Sequence, residues 1–457
     1  MRQIAESDLP TSESSITEDE LAAFHHTLGR LRELPADDRR RLHAERAAGS
    51  FVKDGRRHRS TARRAAGRAA DAELTAATAT GATDRREDAP LPLPDRTAPA
   101  GHYARARHCY VCKLAYRTAD AHYHLLCPGC AAENAARRAL TADLRGRRAL
   151  LTGGRVKIGF QLALMLLRDG AELIVTSRFP QDTRRRFAAA PGSADWLDRL
   201  TVHGIDLRDP RRVLDLCDQL TADGRPLDIL INNAAQTVRR PAQAYALLEA
   251  GERTALPGRP LPAPLCLVPR QATFAPSRKL PDAALETDEA GLLPDTAPQN
   301  SWSRRLGELD PTELLETQLV NALAPALLCD RLLPLLLASP AAHRYIVNVS
   351  AVEGRFAVRN KTGGHPHTNM AKAALNMLTR TSAAELALRG VHMCAVDTGW
   401  ITDENPAPRK ARIAAHGFRT PLDVVDGAAR IYDPIVRGEA GSPVSGVLLK
   451  DYQVAAW

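Results

Sequence analysis

The stretch that decides the fold runs from Arg148 to Asp169 and reads RALLTGGRVKIGFQLALMLLRD. It begins with a short apolar run that is typical of a buried strand. Gly153 and Gly154 then permit a tight turn that most side chains would block. Gly159 opens an amphipathic helix whose first backbone amides are available to an anion. The stretch therefore predicts a strand, a turn and a helix that together form a phosphate-binding corner.

Length, composition and charge set the broad class of the protein. A chain of 457 residues is expected to hold two or three units, and 44% hydrophobic residues allow a sizeable core. The net charge of +9 comes largely from arginines between residues 39 and 68 and between residues 137 and 148. Few aromatic residues stand among these arginines to stack on bases, so a solvated basic surface is favoured over nucleic-acid binding.

Targeting signals and cysteine usage indicate the compartment. The first ten residues lack the apolar segment of a secretory signal, and no apolar run approaches the roughly 18 residues of a membrane span. Four of the eight cysteines cluster and the others are scattered, unlike a secreted disulfide framework. We therefore expect a cytoplasmic protein without a membrane segment.

The first hundred residues divide into two parts. Residues 1–52 are predicted to be a helical segment, because Thr17 and Glu20 form a plausible capping box before apolar residues at helical spacing. This helix could pack at the periphery or bind a partner. Residues 53–100 carry few large apolar side chains, too few to offset the entropy of ordering, and are predicted to be a flexible linker.

Two C-x-x-C pairs follow, separated by fourteen residues. Cysteine thiolates at this spacing close a tetrahedral site around zinc, and four protein ligands make such a metal structural. A redox dithiol, or a ligand from a neighbouring histidine, is the alternative. The sequence thus predicts a zinc module over residues 101–140, whose surface could also bind a protein partner. The predicted ligands are Cys109, Cys112, Cys127 and Cys130, and the alternative ligands are His108, His122 and His124.

From residue 144 to residue 457, predicted strands and helices alternate. This alternation predicts an α/β domain with a doubly wound parallel (Rossmann) sheet covered by helices on both faces. An insertion at about residues 239–308 is long enough to be a lid, an interface or a disordered segment. The strands are predicted at residues 148–151, 172–177, 200–206, 227–233, 344–350, 391–397 and 446–450.

This domain resembles the short-chain dehydrogenase/reductase family, whose motifs it carries in order. They are TGGRVKIG at 152–159, Asp206, NNAA at 232–235, Asn321, Ser350, Lys372 and TGWIT at 398–402. The resemblance implies an oxidoreductase that acts on a carbonyl or alcohol of a small molecule with a nicotinamide dinucleotide. It also implies a homo-oligomer.

The resemblance further implies which residues contact the dinucleotide. In the family the first turn cradles the pyrophosphate, the counterpart of Asp206 holds the adenine, and the segment after the sixth strand meets the nicotinamide. The cofactor residues implied here are Thr152, Gly153, Arg155, Lys157, Ile158, Gly159, Ser177, Arg178, Asp206, Asn233, Ala234, Lys372, Gly399 and Thr402.

The choice between NADP and NAD can be argued from charge. An acidic residue after the second strand would bind the ribose 2′-hydroxyl and repel a phosphate there. The sequence instead reads Thr176, Ser177 and Arg178, and the turn adds Arg155 and Lys157. This pattern favours NADP over NAD, unless the cations of the turn point into solvent.

The catalytic set of the family is Asn, Ser, Tyr and Lys, with the tyrosine four residues before the lysine. Asn321, Ser350 and Lys372 match, and imply roles in holding a water, the substrate oxygen and the cofactor ribose. Thr368 stands at the tyrosine position. An aliphatic hydroxyl is far less acidic than a phenol, so the usual proton donor is missing.

Three hypotheses follow from this departure. His365 or His367 could supply the proton, because an imidazole titrates in the useful range. Thr368 could relay a proton from water or substrate. Alternatively, the chain could bind NADP without turnover and serve as a scaffold or sensor. The turn departs from the family as well, since Lys157 stands where a glycine is usual.

Overall fold

The computed structural model describes residues 16–94, 98–253, 287–358 and 360–457. The chain divides into two compact units, with the boundary between Ala70 and Asp71. The predicted insertion over residues 239–308 lies partly outside the described residues.

The first unit is helical. Helix α1 (Glu18–Arg32) begins at Thr17, whose hydroxyl accepts a hydrogen bond from the Glu20 amide while the Glu20 carboxylate accepts one from the Thr17 amide. The predicted capping box is therefore present. Leu21 and Phe24 on this helix are exposed. Helix α2 (Arg39–Ala76) follows, and its last residues belong to the second unit.

The structure corrects the flexible linker predicted over residues 53–100. Helix α2 continues to Ala76, because alanine and arginine have high helix propensity and need no buried face to form a helix. Beyond it, the Thr80 hydroxyl donates to the His122 carbonyl at 2.9 Å. Arg85 donates to the carbonyls of Thr420 and Leu422 at 2.7 and 2.6 Å. These hydrogen bonds order the segment, although it has too few large apolar side chains to be ordered by burial alone.

The second unit contains a small module and an α/β domain. The strands are β1 (Gly101–His108), β2 (Ala115–Ala119), β3 (Arg148–Thr152), β4 (Glu172–Ser177), β5 (Leu200–Gly204), β6 (Ile229–Asn232), β7 (Arg344–Ser350), β8 (Val391–Asp397), β9 (Leu448–Lys450) and β10 (Gln453–Ala455). The helices are α3 (Pro128–Arg137), α4 (Lys157–Arg168), α5 (Pro180–Ala188), α6 (Pro210–Ala222), α7 (Ala246–Glu252), α8 (Pro311–Gln318), α9 (Ala324–Ala338), α10 (Pro366–Leu388), α11 (Ala407–Ala415) and α12 (Val424–Glu439).

The main sheet of the described residues has the order β10-β9-β8-β7-β6-β3-β4-β5. All neighbouring strands are parallel except β9 and β10, which pair antiparallel. This confirms the predicted doubly wound Rossmann sheet. The order in which the chain adds strands reverses between β3 and β6, so that successive strands lie to opposite sides of this point. In sheets of this type, ligands bind in the crevice at that reversal. Strand β10 was not predicted because three residues carry no readable alternation.

Side chains of the central strands alternate between two cores. Leu151 and Val175 pack with α4 and α12 on one face, while Leu150 and Ile174 pack with α6 and α9 on the other. All four are almost fully buried, and a buried side chain of this size contributes roughly 1.5–3 kcal/mol relative to exposure. The near-continuous apolar strands follow from this burial on both faces.

One helical stretch, Pro311–Ala338, is long and apolar enough to span a membrane, with a mean hydropathy of 1.5. Half of that window is buried inside the protein. Leu328, Leu332 and Leu336 on α9 are fully buried in the core that includes α6. The high hydropathy of this stretch is therefore explained by its place as a core helix of the sheet domain. The sequence had predicted no membrane span there.

Buried charges join the small module to the α/β domain. Arg138 follows α3 and binds Asp423 at 2.6 Å and Asp426 at 3.1 Å, both at the start of α12. The Tyr123 hydroxyl donates to Asp426 at 2.6 Å. Burial opposes ionisation of Asp423, but the Arg138 guanidinium outweighs it and lowers the pKa of that carboxyl. The two carboxylates are thus held by one cation from the module.

We predict that Arg138→Ala destabilises the second unit by about 3–5 kcal/mol, because it leaves buried carboxylates without their cation. Arg145→Ala is the matched control, since its ion pair with Asp143 is exposed and should leave stability unchanged. Urea denaturation of both variants checks this. Equal midpoints for the two variants would show that the buried charges are unimportant.

Candidate functional site

The turn after β3 has the shape that the sequence predicted. Gly153 has a φ of 73°, and a Cβ at Gly159 would lie 2.1 Å from the Gly153 carbonyl oxygen. Asn233 Nδ2 donates to the carbonyls of Thr152 and Gly153 at 3.0 and 3.2 Å. The Thr152 hydroxyl accepts from the amides of Asn233 and Ala234. These bonds lock the turn to the end of β6, at the carboxyl edge of the sheet.

The start of α4 suits an anion. Its N-cap residue, Val156, offers no side-chain hydrogen bond to the first helical amides. Unpaired amides at a helix start bind phosphate well. The glycine-lined turn and these amides therefore fit the pyrophosphate of a dinucleotide.

Lys157 does not point into solvent. Its backbone is in the left-handed region, with a φ of 55°, where a glycine is favoured. Its Nζ lies 2.8 Å from Asp88 Oδ2, and the Thr402 hydroxyl donates to Asp88 Oδ1 at 2.6 Å. The two predicted cofactor residues thus bind a carboxylate from the segment predicted to be a linker.

Arg155 is also paired inside the protein. It binds Asp182 at 2.7 Å and the Ala290 carbonyl at 2.8 Å, and it is 9% exposed. Arg178 differs, because its guanidinium lies 4.8 Å from the centroid of the Tyr245 ring and donates to the Tyr245 hydroxyl at 3.4 Å, and no ion pair joins it to a carboxylate of the described chain. The charge argument for NADP therefore rests on Arg178 and no longer on Arg155.

The remaining predicted cofactor residues on this side make internal contacts. Ser177 accepts a hydrogen bond from the Phe179 amide at 3.0 Å. Asp206 lies just after β5 and binds Arg208 at 2.6 Å. Burial opposes the charge of Asp206, but Arg208 outweighs it and lowers the pKa of the carboxyl. Asp206 is therefore ionised at the sheet edge, and both of its carboxylate oxygens accept hydrogen bonds from Arg208.

Ser350 and Lys372 lie together at the end of β7. The Ser350 hydroxyl donates to Asn376 Oδ1 at 2.6 Å, and Lys372 Nζ donates to the Val349 carbonyl at 2.7 Å. Lys372 is 5% exposed, and burial lowers its pKa to about 8. Asn376, one turn after Lys372 on α10, was missed by the sequence analysis, although its spacing placed it on the same helix face.

Thr368 precedes Lys372 by one turn on α10. It is 1% exposed, and its hydroxyl has no hydrogen-bond partner in the described chain. Four residues along a helix place both side chains on one face. The threonine hydroxyl is therefore a buried group beside the lysine, at the position of the family tyrosine.

The two histidines near the start of α10 differ. His367 is fully buried, both ring nitrogens lack a partner among the described residues, and burial lowers its pKa. A neutral, enclosed imidazole is a poor proton donor near neutral pH. His365 stacks on Trp302 at 3.9 Å between ring centroids, and its ring contacts the Trp302 carbonyl. The hypothesis of a histidine donor is thus not favoured at His367.

Asn321 links the helical segment before α9 to the loop after β6. It lies in a π-helical turn (Leu319–Leu323) between α8 and α9. Its Oδ1 accepts from the Gln236 amide at 2.7 Å, and its Nδ2 donates to the Gln236 carbonyl at 2.9 Å. Both ends of the side chain therefore help to fix the loop after β6, and the predicted role in holding a water stays a prediction.

A cavity of about 490 Å³ lies at the start of α10, where His365 and Asn369 line it, while Ser350, Thr368 and Lys372 are not among its lining residues in the described chain. Part of its wall comes from the predicted insertion, where Asn300 Nδ2 donates to the Glu404 carbonyl at 2.9 Å. The side chains that characterise it are aromatic, basic and amide groups. They include Trp302, Arg305, Glu353, Lys361, His365, Asn369 and Arg409.

Comparisons with known proteins agree with this geometry. A family model described as short chain dehydrogenase matches residues 147–253, and one described as Enoyl-(Acyl carrier protein) reductase matches residues 291–419. Together these matches cover just over half of the chain. The chain belongs to the short-chain dehydrogenase/reductase family.

Individual relatives were also found. The chain is 31% identical over 351 residues to an uncharacterized protein of Acanthamoeba polyphaga mimivirus, covering 72% of this chain and 71% of that protein. It is 34% identical over 93 residues to a short chain dehydrogenase/reductase of Macrophomina phaseolina, covering 20% of this chain and 52% of that protein. The NADPH-bound carbonyl reductase from chicken fatty liver is 19% identical, with a TM-score of 0.44, covering 69% of this chain and 100% of that one.

The loop after β8 contacts the cysteine module. Gly399 has a φ of 84°, and the next amide, that of Trp400, donates to the Tyr110 hydroxyl at 2.9 Å. Tyr110 stands between Cys109 and Cys112. Ile401 and Ile158 pack in the same apolar cluster as the core of the cysteine module. The module therefore supports the loop after β8.

The four predicted cysteines come together. The four sulfur atoms lie within 4.8 Å of one another, and the Cys127 amide donates to Cys109 Sγ at 3.3 Å. His124 instead binds the Thr80 hydroxyl, and neither it nor His122 joins this group within the described residues. The donor set fits a tetrahedral structural zinc ion, which would be held by four thiolates.

We predict that the purified protein holds about one zinc ion per chain and that Cys112→Ser loses it. Because the free energy of metal binding contributes to the stability of the folded module, the melting temperature of that variant should fall by several degrees. Cys217→Ala is the control, since Cys217 is buried on α6 away from the cluster. Elemental analysis and thermal melts check this, and a metal-free wild type that is unaffected by chelators would contradict it.

Proposed function

We propose that this protein is an NADP-dependent oxidoreductase that interconverts a carbonyl and an alcohol. One observation carries the proposal. The glycine turn at Gly153–Gly159, the Ser350 hydroxyl and the buried Lys372 ammonium lie at the same carboxyl edge of the sheet, on β3, β7 and α10. NADP(H) supplies or accepts a hydride when it is bound. The turn and the first amides of α4 would hold its phosphates.

Ser350 supports substrate positioning. Its hydroxyl lies at the end of β7 and donates to Asn376 Oδ1. A substrate oxygen could take that hydrogen bond in place of the amide oxygen. Asn376 also donates to the Gly354 carbonyl at 3.0 Å, so it stays anchored if Ser350 turns away.

Lys372 is the proton source that the chain itself offers. Its ammonium has a pKa of about 8, so it is a far stronger acid than a threonine hydroxyl. One of its protons is bonded to the Val349 carbonyl, and an ammonium has two more. Thr368 stands one turn away on the same helix, and its hydroxyl, which has no hydrogen-bond partner in the described chain, would have to turn toward Lys372 to pass a proton to the substrate oxygen.

The cavity supports a small, polar substrate with negative charge. Its volume of about 490 Å³ suits a small molecule. Arg305, Lys361 and Arg409 line it, against the single carboxylate of Glu353. The Asn369 side-chain oxygen is buried there without a partner among the described residues. These groups favour an anionic compound that also carries a hydrogen-bond donor.

A second candidate function is dinucleotide binding without turnover. It is favoured by the contacts of the catalytic set, because Ser350 is bonded to Asn376 and Thr368 stands at the position of the family tyrosine. The cysteine module would then serve as an interaction surface for a protein partner. NADPH bound but not oxidised by any carbonyl, even in Thr368→Tyr, would favour this function.

We also propose a cytoplasmic homo-oligomer. Large apolar side chains on α8, the π-helical turn and α10 are exposed, which a second copy could cover. These are Leu315, Leu323, Met370, Met377 and Leu388.

The proton route predicts a pH dependence. Reduction needs protonated Lys372, whose pKa lies below its usual value, so the rate should be constant at low pH and fall above about pH 8. Oxidation needs the neutral amine and should rise over the same range. Steady-state rates in both directions check this, and a falling limb centred well away from pH 8 would contradict the assignment.

Thr368→Val should lower kcat by about 100-fold, because it keeps the shape of the side chain and removes the hydroxyl. Thr368→Ser keeps the hydroxyl and is the matched control, expected to retain most activity. Both variants should bind NADPH like the wild type. Equal activity in Val and Ser variants would exclude a relay through this residue.

Cofactor choice should depend on Arg178, the cation of this region that has no ion pair in the described chain. Arg178→Glu is expected to weaken NADPH binding at least about 10-fold relative to NADH, because it replaces attraction to a 2′-phosphate by repulsion. Arg331→Glu, an exposed site on α9, is the control. An unchanged ratio of the two dissociation constants would remove the argument for NADP.

A further inference from the structure

Residues 85–91, here called the strap, reach the start of α4 through Asp88. Arg85 anchors one end through the carbonyls of Thr420 and Leu422. The Leu91 amide anchors the other end by donating to Asp423 Oδ2 at 2.7 Å. Asp88 lies between these anchors, and the strap precedes the cysteine module in the chain.

Asp88 makes the contacts that a phosphate would make. One carboxylate oxygen lies 2.8 Å from the ammonium of Lys157, the first residue of α4, and the other accepts from the Thr402 hydroxyl at 2.6 Å. Asp88 is 9% exposed. A carboxylate held between an ammonium and a hydroxyl has two of the partners by which proteins also hold phosphates.

The charges around Lys157 reinforce this arrangement. Burial disfavours its ammonium, but the carboxylates of Glu404, Asp88 and Asp288 outweigh it and raise the pKa of Lys157. The pKa of Asp88 is lowered by Lys157 and Thr402, although burial opposes this. Both groups are therefore charged at neutral pH, and the turn already carries an anion of its own.

From these contacts, and resting on the proposed dinucleotide site, we infer that Asp88 occupies the place of a dinucleotide phosphate. Lys157 and Thr402 are then the groups for which Asp88 and the phosphate compete. The cofactor enters by displacing one side chain of the strap, while the contacts of Arg85 and Leu91 stay in place.

The local backbone is consistent with such an exchange. Asp88 has a φ of 65°, a left-handed conformation that costs a non-glycine residue energy and is kept by its surroundings. Its neighbour Glu87 faces a different cation, Lys410, at 2.8 Å. The strap thus offers two adjacent carboxylates, of which Asp88 binds the phosphate turn and Glu87 does not.

This pair of carboxylates supplies the experiment. Asp88→Asn keeps the size of the side chain and removes the competing charge, so it should bind NADPH about 10-fold more tightly than the wild type. Glu87→Gln makes the same chemical change one residue away and should bind like the wild type. Titration calorimetry on the full chain, with zinc content and melting temperature checked for each variant, measures both.

Inorganic pyrophosphate separates this inference from the proposed function. Tighter pyrophosphate binding by Asp88→Asn than by Glu87→Gln supports the inference even if no variant binds NADPH, in which case the proposed function fails alone. NADPH bound equally well by the wild type and Asp88→Asn overturns the inference and leaves the proposed function standing.

Hydrogen exchange on the wild type tests the displacement without a mutation. Amides of residues 87–89 should exchange faster when NADPH is added, because Asp88 leaves its partners, while the amides of the turn should exchange more slowly. Slower exchange in the strap as well as in the turn would overturn the inference, since the cofactor would then bind with Asp88 in place.

Discussion

The contact between Gly159 and the Gly153 carbonyl is the constraint on which the site depends. A Cβ at Gly159 would lie 2.1 Å from that oxygen and 2.6 Å from Asn233 Nδ2. Because glycine allows this approach, α4 begins directly above the end of β3, and Asn233 can clamp the turn to β6. The start of the helix, the ends of the central strands and the catalytic edge are thereby brought to one place. Packing on both faces of the sheet then holds this edge rigid.

The cysteine module is joined to the α/β domain at the start of α12 and at the loop after β8. Arg138 and Tyr123 bind the carboxylates that open α12, and Tyr110 binds the loop after β8. A buried ion pair of this kind contributes little net stability, but removing one partner is costly, so it fixes the arrangement of the two parts. The segment before the module also reaches the turn, where Asp88 binds Lys157. The module and this segment therefore contact the α/β domain at α12, at the loop after β8 and at the start of α4.

The start of α10 departs from the family pattern at Thr368. Without the phenol, Thr368 leaves an unpaired hydroxyl in a closed environment. The same enclosure lowers the pKa of Lys372 to about 8, and so brings an ammonium into the range of acid–base chemistry. Burial lowers the pKa of both His367 and Lys372, because desolvation disfavours both cations. The imidazole has the lower reference pKa and becomes a poorer proton donor near neutral pH, whereas the ammonium has a high reference pKa and becomes a better one. The chemistry available to the protein follows from that difference.

The sequence by itself determined the sheet, the turn and the cysteine cluster, because each depends on local patterns. Apolar runs specify β3 to β8, Gly153 and Gly159 specify the turn, and two C-x-x-C pairs specify four neighbouring sulfurs. The flexible linker predicted over residues 53–100 was wrong for the described part of that range, because helix propensity and long-range polar contacts order a segment that has little apolar surface. The partners of charged side chains were beyond the sequence as well. Only the tertiary structure decided that Arg155 binds Asp182 and that Lys157 binds Asp88, because those carboxylates reach the turn from other parts of the chain.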